Sequence, residues 1–576
     1  MHALASQMAP SVRARFLASD LVPVLVDAAD AGQIAGQVQQ WHGTCQPLTA
    51  TTLHVHVPRN KLRELAVIPG VNYVEASNKL RPHCDLAHVS AGLVVDEDRV
   101  VPQRGRNVLI GIVDTGIDAA HLAFKKGAQT RIVRYLDQTT GKEYDADAIN
   151  NGQAAASPDK HGHGTHVAGI AAGNGRGAGG SAYAGVAPEA DLAIVKTTFQ
   201  SNDIAAGVKY LFDVAEERQQ ACVVNLSLGG HFGGHDGSTV TERTIDQLSG
   251  RGRIVVVSAG NEGRDPIHAS TVLPRGQAAP ASWKAHFQLK LRQDETGRQF
   301  GLLIVQIWHQ HEDSLDVRVR APNGESFQPP SLDQKEFDRS VFLVQCSHQV
   351  APYSGDHVTT FTVIAQPESQ WLSGWSILVE EKRQENGLGV HVGAVHAWIL
   401  NDDMGAFTSG ATVSHLVGMP GTAYSAITVG SYATRKSWKS QDPNLPVVDL
   451  NAVHLEDVSY FSSPGPTRDG DTKPEISAPG QWLISALSAG APGEEVPSWL
   501  RVKATDYAAM QGTSMAAPYV TGALALLLEK DAKIDWAEAK RRLIKSARQD
   551  AFTAPCWNQR WGYGRIHVAR LLEIEP

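Results

Sequence analysis

Cysteine is scarce: five in 576 residues, Cys45, Cys84, Cys222, Cys346 and Cys556, with no CxxC pair among them. Such spacing suggests neither a cysteine zinc site nor a disulfide framework, and the odd count fits a reducing compartment. Cys222 lies in the apolar run Ala221-Cys222-Val223-Val224-Asn225-Leu226 and reads as a small core residue. Long apolar runs are missing as well. No segment offers about 18 uncharged apolar residues, and the stretch 1–20 holds Arg13 and Arg15 but no apolar run of signal-peptide length. The expectation is a cytoplasmic protein without a membrane span, unless it is exported by another route. Positive charge is in deficit, with 52 Lys and Arg against 60 Asp and Glu for a net charge of -8. That balance argues against nucleic acid or an anionic membrane as a main partner. A continuous Asp/Asn loop of EF-hand type is also missing.

What is present is abundant glycine, 53 residues, with 42% hydrophobic and 19% charged content. The chain is long enough for more than one domain and for sizeable cores. Its organising stretch is Gln511-Gly512-Thr513-Ser514-Met515-Ala516-Ala517-Pro518, which runs into Tyr519-Val520-Thr521-Gly522-Ala523-Leu524. Small and apolar residues cover the whole circumference of the second half, so a buried helix is expected. Ser514 falls at its start, where backbone N–H groups lack partners and the helix dipole favours negative charge. A serine there can attack a carbonyl and offer its own N–H to the resulting oxyanion. An isolated Gly-Thr-Ser would read as an ordinary N-cap; the upstream sequence decides against that.

Two further stretches complete a set. Val108-Leu109-Ile110-Gly111-Ile112-Val113-Asp114-Thr115-Gly116 is an apolar strand ending in a carboxylate and a tight turn. His161-Gly162-His163-Gly164-Thr165-His166 is a glycine-rich turn entering a small-residue helix. Asp, His and Ser in this chain order form one of the known arrangements of orienter, base and nucleophile. At these motifs the chain resembles the subtilisin-like serine proteases. The resemblance implies that Asp114 orients, His163 is the general base and Ser514 the nucleophile. Val257-Ser258-Ala259-Gly260-Asn261-Glu262-Gly263 is similar to the family's oxyanion segment, which gives Asn261 the side-chain donor role. Ser227, Leu228, Gly229 and Gly230 match the edge with which the family pairs the substrate backbone. The family often binds calcium, but nothing here assigns a calcium ligand, so metal sites stay open. No cofactor is required for the implied chemistry. His161, His163 and His166 do not read as a zinc site, because local glycines fix no ligand geometry.

In chain order, residues 1–19 form an extension and 20–80 read strand, helix, strand, strand, helix, strand. That order resembles the family's ferredoxin-like propeptide, with Ile68-Pro69-Gly70-Val71-Asn72-Tyr73-Val74-Glu75 similar to its last helix and strand. The resemblance implies an intramolecular inhibitor whose tail, Ala76-Ser77-Asn78-Lys79-Leu80, enters the cleft. Residues 81–106 are a linker and 107–263 the first part of the catalytic domain, with 137–159 read as a polar surface loop. Across 264–409 short alternating runs separated by turns such as Asn323-Gly324 and Asn386-Gly387 indicate an inserted β-sandwich. It resembles the jelly-roll modules of some subtilisin-like proteases. Residues 410–576 complete the catalytic domain, an α/β fold with a parallel sheet flanked by helices.

The expectation is a serine endopeptidase acting on protein or peptide substrates through an acyl-enzyme and regulated by its N-terminal domain. A protein that merely binds a partner in the cleft would be expected to have lost one of the four positions. An esterase or transpeptidase with the same machinery differs only in product.

Overall fold

The computed structural model describes residues 21–576 apart from 30, 77–80, 83–90, 92, 96–97, 100, 178–182, 273–280, 287–291, 294–298, 311–314, 330–333, 340–341, 366–372, 382–392, 402–403, 554 and 574–576. The expected extension 1–19, tail residues 77–80, residues 287–289 of one expected strand and the Asn386-Gly387 turn lie outside the described residues.

Alternating apolar residues drive the first unit. β1 (Leu21–Ala28), α1 (Ala31–Gln40), β2 (Thr44–Pro47), β3 (Thr52–Pro58), α2 (Leu62–Ala66) and β4 (Val71–Ala76) follow the expected order. The strands form one antiparallel sheet, β2-β3-β1-β4, the arrangement of a β-α-β-β-α-β fold. One face buries Val24, Val26, Val55 and Val57 with Ile34, Val38 and Leu65 of the helices. A two-residue strand, β5 (Arg81–Pro82), follows.

The central unit is an eight-stranded sheet. Its elements are β6 (Val108–Asp114), β7 (Ile132–Asp137), β8 (Lys142–Asp145), α3 (Ala146–Asn150), α4 (His163–Ala172), β9 (Asp191–Lys196), α5 (Ser201–Glu217), β10 (Ala221–Leu226), β11 (Leu228–Gly229), α6 (Val240–Leu248), β12 (Arg253–Ser258), β13 (Ile427–Ala433), β14 (Ile476–Gln481), α7 (Thr513–Lys530) and α8 (Trp536–Ser546). The sheet order is β8-β7-β9-β6-β10-β12-β13-β14, and every pairing except β8 with β7 is parallel. Strands such as β6 and β10 are buried along their whole length, as a parallel sheet covered on both faces requires. α4 and α7 pack together on one face and α5 and α6 on the other, giving two separate apolar clusters.

The expected surface loop 137–159 needs correction. It contains β8, α3 and a short 3-10 turn, Gln153–Ala156, and both of its ends, Asp137 and Asp159, are buried. Polar and glycine-rich composition concealed an edge strand because an edge strand has only one neighbour and needs little apolar surface.

Between β12 and β13 the chain builds two antiparallel sheets. One runs His268–Val272, Ala394–Ile399, Gln299–His309, His357–Ala365, Phe342–Val350, Gln334–Arg339. The other runs Ser326–Phe327, Leu315–Arg320, Ser373–Glu381, Ala281–His286, Ala406–Phe407. Val305, Val344 and Phe361 of the first meet Val317, Ile377 and Val379 of the second in one core, so this is a sandwich. Among the described residues no helix is long and apolar enough to cross a membrane.

Candidate active site

β6, β10 and β12 are neighbours, and the polar side chains of the site lie at or just past their carboxyl ends, where open α/β sheets bind ligands. β6 ends at Asp114, which is fully buried, and α4 begins at His163, 1% exposed. His163 Nδ1 lies 2.7 Å from Asp114 Oδ1. The same oxygen accepts the Thr115 N–H at 2.7 Å, while Asp114 Oδ2 is buried without a hydrogen-bond partner. With an acceptor at Nδ1, the imidazole carries its proton there and its Nε2 lone pair is the base. A carboxylate satisfied on one oxygen only gains from an imidazolium forming beside it.

The turn before α4 is organised by Asp159, a residue the sequence reading passed over. Its carboxylate accepts from Thr115 Oγ1 (2.9 Å), Gly162 N (2.8 Å), Thr165 N (2.9 Å) and Thr165 Oγ1 (2.6 Å). It thus caps the helix that presents His163 and ties it to the turn after Asp114. No helix-start signal marks it in the sequence, since such a residue stands immediately before the helix and Asp159 is four residues ahead of it. Gly164 has no room for a side chain: a Cβ there would stand 2.2 Å from Gly116 O. That close approach is what brings His163 against Asp114.

His166, on the buried side of α4, is pushed down to about 3 by burial, and its Nε2 lies 3.1 Å from Ala508 O. It is a neutral donor packed inside the fold. His161 is half-buried and lies beside His163, with ring centroids 6.0 Å apart.

Ser514 is the second residue of α7 and is fully buried. The helix is buried from Thr513 to Leu528 although Pro518 stands inside it. Proline has no N–H for the carbonyl four residues back, which here is Ser514 C=O. Ser227 Oγ donates to that carbonyl instead, at 2.7 Å. Ser227 Oγ in turn accepts from Asn225 Nδ2 at 2.9 Å, and Asn225 Oδ1 accepts from Thr521 Oγ1 at 3.0 Å. This buried relay joins β10 to α7 across almost 300 residues of chain. Ser514 Oγ lies 3.4 Å from Ser227 O. Farther along, Gly522 lets α7 approach α4, since a Cβ there would meet Ala171 O at 2.8 Å.

Asn261 reaches the same place from β12. Its Oδ1 accepts from Thr513 N (2.9 Å) and lies 3.1 Å from Thr513 Oγ1, which fixes which end of the amide is acceptor and which is donor. The structure therefore gathers Asn261, Thr513, Ser514 and Ser227, and pairs Asp114 with His163. Thr513, Asn225 and Thr521 are further members to which the sequence reading gave no role.

The expected substrate edge is already occupied by the chain itself. β11 pairs antiparallel with β5, Leu228 opposite Pro82 and Gly229 opposite Arg81. Gly230 differs, donating its N–H to Met419 O at 2.9 Å. The expected tail residues end at Leu80, so the paired segment falls just beyond them. Upstream, the first unit rests on α5 and α6 through Leu25, Leu48, Ala205, Ala206 and Val240. At the seam, His54 Nε2 contacts Asn202 Nδ2 and lies 3.4 Å from Asp203 Oδ1. Burial, and secondarily the nearby His56, push His54 down to about 4.

Known proteins are similar to this chain. The extracellular serine proteinase of Thermus sp. (strain Rt41A) is 30% identical over 251 residues, 40% of this chain and 53% of that protein. Subtilisin-like protease 4 of Trichophyton equinum is 31% identical over 230 residues, 37% of this chain and 50% of that protein. The chain spans about half the length of these curated relatives. The structure of the CspB protease of Clostridium perfringens superposes with a TM-score of 0.67 at 26% identity, over 82% of this chain and 95% of that one. The Subtilase family matches residues 105–359 and 401–564, more than half of the chain, including both halves of the parallel sheet and a large part of the inserted sheets. With both halves of the parallel sheet matched, this chain belongs to the Subtilase family.

Proposed function

We propose that the chain is a serine endopeptidase whose N-terminal unit acts as an inhibitor in place. The observation that carries the reading is the buried Asp114–His163 pair, 2.7 Å apart, together with a packed neighbouring helix whose second residue is Ser514. In the proposed chemistry His163 Nε2 takes the Ser514 Oγ proton as Oγ adds to the substrate carbonyl. Asp114 holds the ring in the tautomer with Nδ1–H and stabilises the imidazolium. The oxyanion is met by the Asn261 amide and the Ser514 N–H; one such donor is commonly worth about 100- to 1000-fold in turnover. The imidazolium then gives its proton to the departing amine. Water, activated by the same histidine, releases the acyl group. Protein groups supply every step.

Inhibition is supported by the β5–β11 pairing, in which the chain's own backbone takes the place proposed for substrate. From Arg81 to Pro82 the register moves one residue nearer to Ser227, and Ser227 O is the carbonyl 3.4 Å from Ser514 Oγ. Counting one residue past Pro82 makes the His83–Cys84 bond the expected site of self-cleavage. Intact-mass measurement of the purified chain beside Ser514→Ala tests this. The expected result is a cut at His83–Cys84 in the first and a whole chain in the second. Cleavage of purified Ser514→Ala would assign the cut to another protease.

A further inference from the structure

Away from the site, three histidines from distant parts of the sequence converge where the inserted sandwich joins the parallel-sheet domain. His268 is on the first strand of the insert and His396 on its neighbour, two residues out of direct register, so both project from one face of the sheet. His415 lies on the segment returning to the parallel sheet, with φ +57° and its N–H donating to Gly465 O at 3.2 Å. One ring nitrogen from each of the three lies within 4.8 Å of the others, and no comparable trio of His, Cys or carboxylate donors occurs among the described residues. His268 Nε2 and His396 Nδ1 are 3.0 Å apart. Zinc–nitrogen bonds of 2.0–2.1 Å in a tetrahedron put donor atoms about 3.3 Å apart. The pair is close to that spacing, and a nitrogen of the third ring lies within 4.8 Å of both.

We propose that His268, His396 and His415 bind one zinc ion that clasps the inserted sandwich to the parallel-sheet domain. Nε2 of His268, Nδ1 of His396 and Nε2 of His415 are the donors, with water in the fourth position. Outer partners are in place for two of the rings. Thr412 Oγ1 lies 2.7 Å from His268 Nδ1 and Ser414 Oγ lies 2.9 Å from His415 Nδ1. Each hydroxyl can accept the N–H of a ligating ring, fixing its tautomer and raising its basicity. Three imidazoles without a carboxylate suit a borderline ion such as zinc and not calcium or magnesium. Burial keeps the rings neutral, with His396 pushed down to about 3 and His268 and His415 lowered as well. The nearby cation, Arg468, is engaged by Asp236 and Asp356. The flat face of the cluster rests on Trp398, whose ring stacks on His268 at 4.7 Å, so the site is dry on that side. A second histidine group, His309, His348 and His357, also has a close pair, His348 Nε2 and His357 Nδ1 at 3.1 Å, but does not bring one nitrogen from each ring within 4.8 Å of the other two.

The test uses the full chain carrying Ser514→Ala, stripped with a chelator and then given zinc chloride or cobalt chloride. The expected result is one zinc per chain retained through gel filtration. Cobalt should give the strong visible absorption of a four-coordinate site, bleached by zinc. His396→Gln and His415→Gln should each weaken zinc binding by at least about 100-fold, beyond the usual effect of losing an outer partner. His348→Gln should leave it unchanged. Zinc should raise the melting temperature of the chain with all three ligands and not that of His415→Gln. Failure of the chain with all three ligands to retain zinc or to give the cobalt band would overturn the proposal. So would loss of zinc in His348→Gln or His163→Ala with retention in His396→Gln. If a ligand variant unfolds, the cobalt spectrum of the intact cluster decides alone.

Discussion

A carboxylate that accepts four hydrogen bonds without contact with water is hard to replace, and Asp159 is in that position. Removing it strands two backbone N–H groups at the start of α4 and frees the Thr115 hydroxyl, which also accepts the Gly164 N–H at 2.9 Å. Hydrogen bonds to a charged group are worth roughly 1.5–3 kcal/mol each, less than additively. Asp159→Ala should therefore lower stability by about 3 kcal/mol or more and cut kcat with a smaller change in KM. Asp159→Asn should recover part of both. Thermal melts with steady-state kinetics on a peptide check this; an unchanged melting temperature for Asp159→Ala would contradict it. The residue also marks where reading the sequence stopped. Asp114, His163, Asn261 and Ser514 stand in short glycine-bordered motifs, because close approach and exposed backbone donors demand small neighbours, and such motifs are visible in a line of letters. Asp159 stands in polar surroundings that look like any loop. Asn225 stands inside an apolar strand, and its partners Ser227 and Thr521 belong to different elements, so only the fold reveals the relay.

Among the elements, α7 is held by that relay in a way that separates helix from site. Its Pro518 deprives Ser514 C=O of a helical partner, and Ser227 Oγ supplies one. Ser227→Ala should leave a buried carbonyl unpaired at a cost of about 1–3 kcal/mol. Pro518→Ala restores a backbone N–H to the same carbonyl, so the double variant should be more stable than the sum of the two single changes predicts. Denaturant titration of the four proteins gives the coupling; strict additivity would show that the carbonyl does not depend on either group. The helices and strands themselves were largely readable. The order β1-α1-β2-β3-α2-β4 followed from alternation and helical spacing, and the sandwich from short strands between turns. β8 and α3 were not readable, since an exposed edge strand carries almost no apolar pattern. The three-histidine cluster was invisible for a different reason: its members are 128 and 19 residues apart, from His268 to His396 and from His396 to His415.

In the whole molecule, the seam under the N-terminal unit holds a buried histidine whose titration should make docking depend on pH. His54 at the seam is held near 4, against an ordinary 6.5, by burial and by His56. A depressed histidine leaves docking at full strength above pH 6.5 and weakens it as pH falls toward 4, because the undocked unit takes up the proton first. Asp203, raised by burial, acts in the opposite sense. At pH 5 the histidine alone weakens docking by up to about 2 kcal/mol. Calorimetry of a fragment 21–82 with a Ser514→Ala chain beginning at residue 86 should give roughly 10- to 30-fold weaker binding at pH 5 than at pH 7. His54→Phe should flatten the dependence, and tighter binding of the unaltered fragment at pH 5 would contradict the assignment. The proposed activity rests on one hydroxyl made nucleophilic by one imidazole, which a covalent probe can interrogate. A chain beginning at residue 86 should react with a fluorophosphonate to give a single adduct that peptide mapping places on Ser514. Peptide hydrolysis should fall in proportion to labelling, and His163→Ala should abolish both. Hydrolysis that persists after full labelling of Ser514, or an adduct on another residue that accounts for the lost activity, would contradict the mechanism.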